Sequence, residues 1–414
     1  MRRKKILISS YACHPKLGSE HGVGWNWSIR LAKNYEIWVI TREDNKVEIE
    51  EEVKRLNIKN IHFVYVELAK YLRFWKKGER GLYLYYLIWQ ILAFVKAQKI
   101  HREVTFDAVW HLTFGNIWLP SFMCFLNTKF IWGPIGGADK IPFTFWGEFS
   151  FKGKINEILR RIVLLLTKIN PLFHYSYKKS AVILTRTKAT KDFIPSRYRH
   201  KVIEMLETAI DDEHFYKVIS NQVSKQYAKR ELKLISVGRL VYLKGFSLAI
   251  KALKQLKEKA PWINWEYIII GDGPEKRNLK KLVNKLGVEK EVSFRGKIPR
   301  CKVLEELTSA DIFLMPSFKE GGSWALVEAM LYGLVPVVLD TGGTSLVVGE
   351  DCGIKIKIGT PEEIKKALAE SIIKLFEYPE VRKKLSLRAR ERILHDFNWE
   401  NKMNKINKIL QAIL

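Results

Sequence analysis

Short apolar runs alternate with amphipathic stretches along most of this chain. Runs of roughly four to eight apolar residues predict buried strands, and "KKILISS", "LKLISVGRL" and "WEYIIIGDG" contain three of them. Between such runs lie stretches with apolar residues at three- and four-residue spacing, such as "FSLAIKALKQLKEKA", which predict amphipathic helices. Strands that alternate with helices are typical of a parallel α/β sheet.

Two parts of the chain repeat the same order of elements. The first reads as the strand "KKILISS", the Gly-rich loop "PKLGSEHGVGW", the helix "NWSIRLAKN" and the strand "EIWVIT". The second reads as "LKLISVGRL", "VYLKG", "FSLAIKALKQLKEKA" and "WEYIIIGDG". Both predict a βαβ unit with a ligand-sized loop after its first strand. We therefore predict two doubly wound, Rossmann-like domains that face one another across a cleft.

The predicted N-terminal domain covers residues 1–200 and is completed by a C-terminal helix at about 395–414. The second domain covers 205–394, with the boundary between about Tyr198 and Glu231. A chain of 414 residues, 47% of them hydrophobic, is long enough to bury two cores. Four scattered cysteines without a CxxC pair indicate neither a zinc site nor a disulfide framework, so we expect a reduced, cytosolic protein.

Positive charge predicts an anionic partner or surface. The chain has 71 basic and 44 acidic residues, a net charge of +27. Residues 68–102 carry a net charge of +7 and residues 151–179 a net charge of +6, both interleaved with aromatic or aliphatic side chains. This pattern is typical of helices that lie on an anionic membrane; the alternative is a solvated face. The apolar stretch at 81–95 is shorter than the roughly 18 residues of a spanning helix.

The stretch "MPSFKEGGSWALVEAMLYGLVPVVLD" combines several chemical signals. A predicted strand leads into a loop, and Ser323 is the predicted N-cap of a helix from about Trp324 to Tyr332, with Gly333 after its end. Unpaired N–H groups at such a helix start favour anions. Glu328 lies among apolar residues, where a carboxylate is costly unless it receives hydrogen bonds. The alternative is a Glu328 that faces solvent.

Other strand ends also carry candidate ligands. Arg239 and Lys244 follow "LKLISV", where two cations would suit a diphosphate; alternatively they are surface cations. The turn "GDG" at 271–273 and the backbone at Gly296–Ile298 in "VSFRGKIPR" are either plain turns or ligand contacts, the latter for a flat base.

The ordered set "VGRL…KG", "GDGP", "FRGKIP", "MPSFKEGGSWALVEAM" and "PVV…TGG" resembles the retaining glycosyltransferases of family four, which have the GT-B fold. The resemblance covers about 231–390 and extends more weakly through the rest of the chain. Glu320 and Glu328 match the E-x7-E pattern of that family. The chain departs from the common family pattern at Gly322, Ser323 and Trp324.

The resemblance implies transfer of a sugar from a nucleotide-sugar donor to a glycan or polyisoprenyl-linked acceptor, in cell-surface polysaccharide or glycolipid biosynthesis. The protein would then work in the cytoplasm, at the inner face of the cell membrane. The nucleotide sugar is a co-substrate, so we expect no cofactor, and cations at the leaving group make a bound metal unnecessary. Two alternatives are a GT-B nucleotide-sugar epimerase and a basic nucleic-acid-binding protein, although no known nucleic-acid module is apparent.

The resemblance also implies roles for individual residues of the second domain. Glu320 would bond the donor sugar's hydroxyls, Glu328 would accept both ribose hydroxyls, and Arg239 and Lys244 would hold the diphosphate. The implied donor-binding set also contains Ile298, Gly321, Gly322, Ser323 and Trp324.

In the first domain the resemblance implies two further groups. His111, at the end of the strand in "FDAVWHLTFGN", matches an active-site histidine; the alternative is a structural histidine. The loop "LGSEHGVGW" resembles one that approaches donor phosphates and acceptor. Its implied contact residues are Gly18, Ser19, Glu20 and Gly22.

Overall fold

The computed structural model describes residues 2–69, 71, 73, 75, 76, 78, 81–210 and 231–414. The strands in these residues are β1 (Lys5–Ser9), β2 (Glu36–Arg42), β3 (Ile61–Val66), β4 (Ala108–His111), β5 (Lys129–Ile135), β6 (Ser180–Thr185), β7 (Val202–Glu204), β8 (Glu231–Val237), β9 (Asn264–Ile270), β10 (Val292–Gly296), β11 (Ile312–Met315), β12 (Val335–Leu339) and β13 (Ile354–Ile356).

The α-helices in the same residues are α1 (Ser19–Leu31), α2 (Lys46–Arg55), α3 (Leu82–Val104), α4 (Phe151–Ile169), α5 (Pro171–Lys179), α6 (Lys188–Phe193), α7 (Phe246–Lys259), α8 (Lys276–Leu286), α9 (Arg300–Ser309), α10 (Trp324–Leu331), α11 (Gly342–Val347), α12 (Pro361–Glu377), α13 (Pro379–Asp396) and α14 (Trp399–Ile413). Among the described helices, none combines the length and apolar character needed to cross a bilayer.

The strands form two parallel sheets. The first has the order β3-β2-β1-β4-β5-β6-β7 and the second the order β10-β9-β8-β11-β12-β13. In each sheet the first strand in sequence has neighbours on both sides, so the strand order reverses there: β1 lies between β2 and β4, and β8 between β9 and β11. Loops that leave the carboxyl ends of strands at such a switch point diverge and leave room for a ligand. The predicted pair of doubly wound, Rossmann-like domains is confirmed.

The described residues divide into two compact units. Unit 1 comprises 1–138, 162–207 and 403–414, and unit 2 comprises 139–161 and 208–402. The division differs from the predicted one in 139–161 and 395–402, which belong to unit 2. Residues 139–161 do so because Phe145 and Phe149 are part of its core. The ring of Phe145 lies 4.8 Å from that of Phe318. The predicted boundary region lies partly outside the described residues.

Each unit buries its own apolar core around its sheet. In unit 1, Leu7 and Val109 come from adjacent strands and are fully buried. In unit 2, Leu234, Ile312 and Val335 are aligned in three adjacent strands and are fully buried. Helices cover both faces of such a sheet, which is why these strands read as nearly continuous apolar runs in the sequence.

Helix α1 begins at Ser19, earlier than the predicted helix "NWSIRLAKN". Gly22 and Gly24 therefore lie inside the helix, and the prediction that Gly22 belongs to a loop is wrong. A Cβ at Gly24 would lie 2.1 Å from the carbonyl oxygen of Ala12. Glycine lets the helix pack directly against the segment that follows β1. The glycines in this part of the sequence thus reflect the close approach of the helix to that segment.

Candidate functional site

Lys244 and Glu320 form an ion pair near the carboxyl end of the sheet in unit 2. Lys244 ends a short 3-10 turn after β8, and Glu320 lies in the loop between β11 and α10. The Lys244 ammonium donates a hydrogen bond to the Glu320 carboxylate, and both side chains are largely buried. Because β8 and β11 are neighbours in the sheet, the fold brings together two predicted donor-site residues from distant parts of the chain.

Backbone contacts hold the loop that carries Glu320. The Gly343 amide donates to the Glu320 carbonyl oxygen at 2.8 Å, and the Thr341 hydroxyl donates to the Ser317 carbonyl oxygen at 3.0 Å. A Cβ at Gly343 would lie 1.7 Å from the carbonyl oxygen of Gly321, so no other residue fits there without movement of the loop. The loop before α11 therefore fixes the position of the Glu320 backbone.

A second close approach fixes the loop with Arg239. Gly271, directly after β9, has a φ of 140°, and a Cβ there would lie 1.9 Å from the carbonyl oxygen of Gly238. Only glycine adopts this conformation readily at such a contact. The "GDG" turn is thus a packing element against the loop after β8. The Arg239 side chain, next to Gly238, is exposed.

Helix α10 begins as the sequence predicts. The Ser323 hydroxyl accepts a hydrogen bond from the Leu326 amide at 3.3 Å, so Ser323 is the N-cap. Gly333 follows the helix with a φ of 75°, as expected for a residue that ends a helix. Gly321, Gly322 and the helix start are thereby placed beside Glu320, where amide groups of the first turn favour an anion.

Glu328 is held by an arginine that the sequence reasoning missed. It lies in the second turn of α10 with its side chain 13% exposed. Arg300, the first residue of α9, directs Nε and Nη2 at Glu328 Oε1, at 3.1 and 2.5 Å. The predicted need for hydrogen bonds to this carboxylate is met within the protein. Ile298 lies two positions before Arg300, in the loop after β10.

In unit 1 the residues predicted at the donor phosphates and acceptor lie at the start of α1. Gly18 and Ser19 are exposed there, and Glu20 is in the first turn. Glu20 Oε1 accepts from Arg186 Nη2 at 3.1 Å, and Arg186 Nε lies 3.0 Å from Glu207 Oε1. This arginine was not singled out from the sequence, because nothing local indicates that it lies near α1.

His111 is deeply buried at the end of β4. The residue is 1% exposed, and both ring nitrogens have hydrogen-bonding partners. Nδ1 lies 2.7 Å from the Ser121 hydroxyl and Nε2 lies 3.2 Å from the Tyr86 hydroxyl. Burial lowers the pKa of His111 to about 4, so the imidazole is neutral near pH 7. This geometry favours the structural alternative, and the active-site role of His111 stays a prediction.

The comparison with known proteins concerns mainly unit 2. Residues 219–392 match the family model described as "Glycosyl transferases group 1". The predicted family resemblance is confirmed for this segment, and the two Rossmann-like units have the architecture of the GT-B fold.

Two relatives and one solved structure illustrate the similarity. The "Uncharacterized glycosyltransferase MJ1069" of Methanocaldococcus jannaschii is 31% identical over 274 residues, which are 64% of this chain and 65% of the relative. The "Putative colanic acid biosynthesis glycosyltransferase WcaL" of Escherichia coli is 35% identical over 196 residues, 44% of this chain and 45% of the relative. The chain thus spans less than two thirds of either relative.

The solved structure is "Anabaena Alr3699/HepE in complex with UDP", with a TM-score of 0.62 and 15% identity, covering 99% of this chain and 100% of that one. At this identity the similarity concerns the fold. Among the residues that the structure describes, no group of three or more His, Cys, Asp or Glu side chains is placed to hold a metal ion.

The burial of His111 leads to a testable prediction about stability. The pKa is about 4 in the folded chain and about 6.5 in the unfolded chain, so the unfolded chain binds the proton first as the pH falls. The stabilising contribution is complete above about pH 6.5 and decreases by about 3 kcal/mol down to pH 4. The unfolding free energy of His111→Gln, measured by denaturant titration between pH 4 and 7.5, should lack this pH dependence. An unchanged slope in the variant would contradict the assignment.

Proposed function

We propose that this protein is a retaining glycosyltransferase that moves a sugar from a nucleotide-sugar donor to a glycan or polyisoprenyl-linked acceptor. The observation that carries the proposal is the pair of cation–carboxylate contacts at α10, Lys244 with Glu320 and Arg300 with Glu328. All four residues lie in the segment 219–392, which matches the group 1 glycosyltransferase model. A relative named for colanic acid biosynthesis and a structural neighbour that holds UDP support this chemistry.

The donor's diphosphate would bind between the two predicted cations and the start of α10. Arg239 and Lys244 supply positive charge, and amides of the first helical turn supply further hydrogen-bond donors. Lys244 pairs with Glu320 within the chain. A diphosphate offers this ammonium a more highly charged partner, and the carboxylate of Glu320 is then available to the hydroxyls of the donor sugar.

The same cations would stabilise the leaving group. As the bond between the sugar's anomeric carbon and the diphosphate breaks, negative charge accumulates on the departing phosphate oxygen. The acceptor oxygen bonds to the anomeric carbon on the same face, and its proton passes to the departing diphosphate. Preorganised cations from the chain perform the electrostatic role that a metal ion performs in other transferases. We therefore propose that transfer is independent of metal.

Substitution of Glu320 and of Glu328 should affect nucleotide affinity and sugar transfer differently. Glu320→Gln should leave affinity for free UDP or GDP unchanged or tighter, because it releases Lys244, while it lowers transfer by about 10²-fold through lost transition-state contacts. Glu328→Gln should weaken binding of the nucleoside and the nucleoside diphosphate alike. Calorimetry with UDP and GDP and turnover with a panel of nucleotide sugars measure both effects, and each variant serves as the control for the other.

Equal loss of nucleotide affinity in both variants would contradict this division of roles. Full turnover in both would contradict the glycosyltransferase site itself.

Chelation tests the role of the cations. Activity should persist in excess EDTA, because Arg239 and Lys244 already carry the charge that the leaving diphosphate requires. The measurement is transfer from the best donor with EDTA and with added Mg²⁺ or Mn²⁺, and Lys244→Ala is the matched variant that should lose activity in all conditions. Activity that disappears on chelation and returns with metal would refute the proposal.

We also propose peripheral contact with an anionic membrane at its cytoplasmic face, where a lipid-linked acceptor would be held. Helix α4 supports this contact, because exposed apolar side chains occur along its whole length. The exposed apolar side chains of α4 are Phe151, Ile155, Ile158, Leu159, Ile162, Val163, Leu165, Leu166 and Ile169.

The inner face of α4 contains a buried charged group. Glu157 is fully buried there and accepts from Arg160 Nε at 2.8 Å and Nη2 at 2.6 Å, with Arg161 Nε at 3.4 Å. These contacts satisfy the charge inside the protein and leave the apolar face outward. Lys152 and Lys168 are exposed near the helix ends, as suits an interfacial helix on anionic lipid.

Helix α3, from the first basic stretch, has a similar outer surface. Its exposed apolar residues, among them Leu84, Ile91 and Val95, are followed by exposed Lys96 and Lys99. The part of that stretch before position 81 lies largely outside the described residues. The two helices together provide the apolar and basic elements that an anionic interface requires.

Vesicle binding tests this contact. Replacing Leu165 and Leu166 with Gln should lower the partition coefficient onto anionic vesicles about tenfold or more, since burying each leucine contributes about 1.5–3 kcal/mol. Val47→Gln is the matched control, because Val47 and Leu165 are both 65% exposed. Binding should also decrease with salt. Equal binding to neutral and anionic vesicles, or an unchanged double variant, would favour a solvated face.

A further inference from the structure

We propose that Arg300 is the positioning residue that directs the Glu328 carboxylate at the ribose of the bound nucleotide, and that it thereby determines preference for ribonucleotides. The inference rests on the proposed function, because it assigns a role within the same donor site. It begins with the surroundings of Glu328. The neighbouring side chains of Val327 and Ala329 are buried, and the carboxylate is 13% exposed.

A carboxylate in this position requires a partner. An ionised group among apolar side chains is costly unless it is paired and hydrogen-bonded. Arg300 is this partner, because two N–H groups of its guanidinium donate hydrogen bonds to the same Glu328 oxygen. A planar guanidinium that donates twice restricts the direction of the carboxylate more than an ammonium would. The contact therefore fixes orientation as well as charge.

The position of Arg300 in the fold connects it with the nucleotide. It is the first residue of α9 and follows directly on the loop after β10, where Gly296–Ile298 were predicted to contact a base. The side chain is 43% exposed, so it lies at the surface of unit 2, where a ligand can approach. A residue that joins the base loop to the predicted ribose ligand is well placed to influence how the nucleoside is recognised.

Another arginine close by shows that the contact is specific. Arg295, on β10, is 45% exposed, and its guanidinium lies 3.5 Å from Glu306 and 3.7 Å from Glu266. Arg295 and Arg300 thus have equal charge and similar exposure, but Arg300 contacts the predicted ribose ligand, whereas Arg295 lies beside Glu306 and Glu266. Arg295→Ala is therefore a matched control for Arg300→Ala.

Preorganisation gives the expected effect. A carboxylate that accepts both hydroxyls of a ribose must hold its two oxygens in one orientation, and ordering a free side chain at the moment of binding lowers affinity. Loss of Arg300 should weaken a ligand with both hydroxyls more than a ligand without the 2′-hydroxyl. Arg300→Ala is expected to weaken UDP or GDP about tenfold and the matching 2′-deoxy diphosphate only about twofold.

The test is a double-mutant cycle with calorimetry. Dissociation constants for UDP, GDP and their 2′-deoxy forms are measured for wild type, Arg300→Ala, Arg295→Ala, Glu328→Gln and the Arg300→Ala/Glu328→Gln double variant. If Arg300 acts through Glu328, its removal should change affinity by less than about twofold in the Glu328→Gln background. Arg300→Lys, which keeps the charge without the fork, should fall between wild type and alanine. Thermal unfolding midpoints identify any variant that fails to fold, and Arg300→Lys then replaces alanine in the cycle.

The outcomes are distinct. If wild type binds neither nucleotide, the proposed function fails before Arg300 is tested. If wild type binds and Arg300→Ala keeps both its affinity and its 2′-hydroxyl preference, the positioning role is overturned. Equal losses in the two backgrounds would mean that Arg300 contacts the nucleotide directly and does not act through Glu328. Tighter binding by Arg300→Ala would mean that the arginine competes with the ligand. Equal losses in the two backgrounds and tighter binding would each overturn the proposal as well.

Discussion

Backbone crowding at the carboxyl end of the sheet in unit 2 is the constraint on which the candidate donor site depends. Gly271 approaches Gly238, and Gly343 approaches Gly321, so closely that a Cβ on the first member of each pair would overlap the carbonyl oxygen of the second. These contacts join loops that follow four different strands. Because backbone cannot be compressed further, the loops hold their polar side chains in fixed places, among them Glu320.

Charge pairing is the second feature of this end of the sheet. Two carboxylates that burial would make costly, Glu320 and Glu328, each have a cation as partner. Breaking such a pair leaves an uncompensated charge, so an incoming ligand must supply a replacement. An anionic diphosphate can do so for Lys244, and ribose hydroxyls can share the carboxylate with Arg300. In the proposed function these pairs hold both carboxylates in place, which lowers the entropic cost of binding.

Unit 1 uses polar residues at its strand ends differently. His111 is enclosed between Tyr86 and Ser121, where both nitrogens are satisfied, and Glu20 is paired with Arg186 at the start of α1. These contacts stabilise the loops of unit 1. The exposed polar elements there are the backbone at Gly18 and Ser19. Equivalent positions in two similar sheets thus carry different chemistry, because burial decides whether a polar side chain reaches a ligand.

The amino-acid sequence alone determined the two parallel sheets, the start and end of α10, and the family of residues 219–392. Apolar runs, helix caps and ordered motifs are local, so they can be recognised in a linear chain. Tertiary structure alone decided that Gly22 lies in a helix, that His111 is enclosed, and that Arg300 contacts Glu328. The physical reason is distance along the chain: burial and ion pairing depend on which segments the sheet brings together, and residue spacing does not encode that.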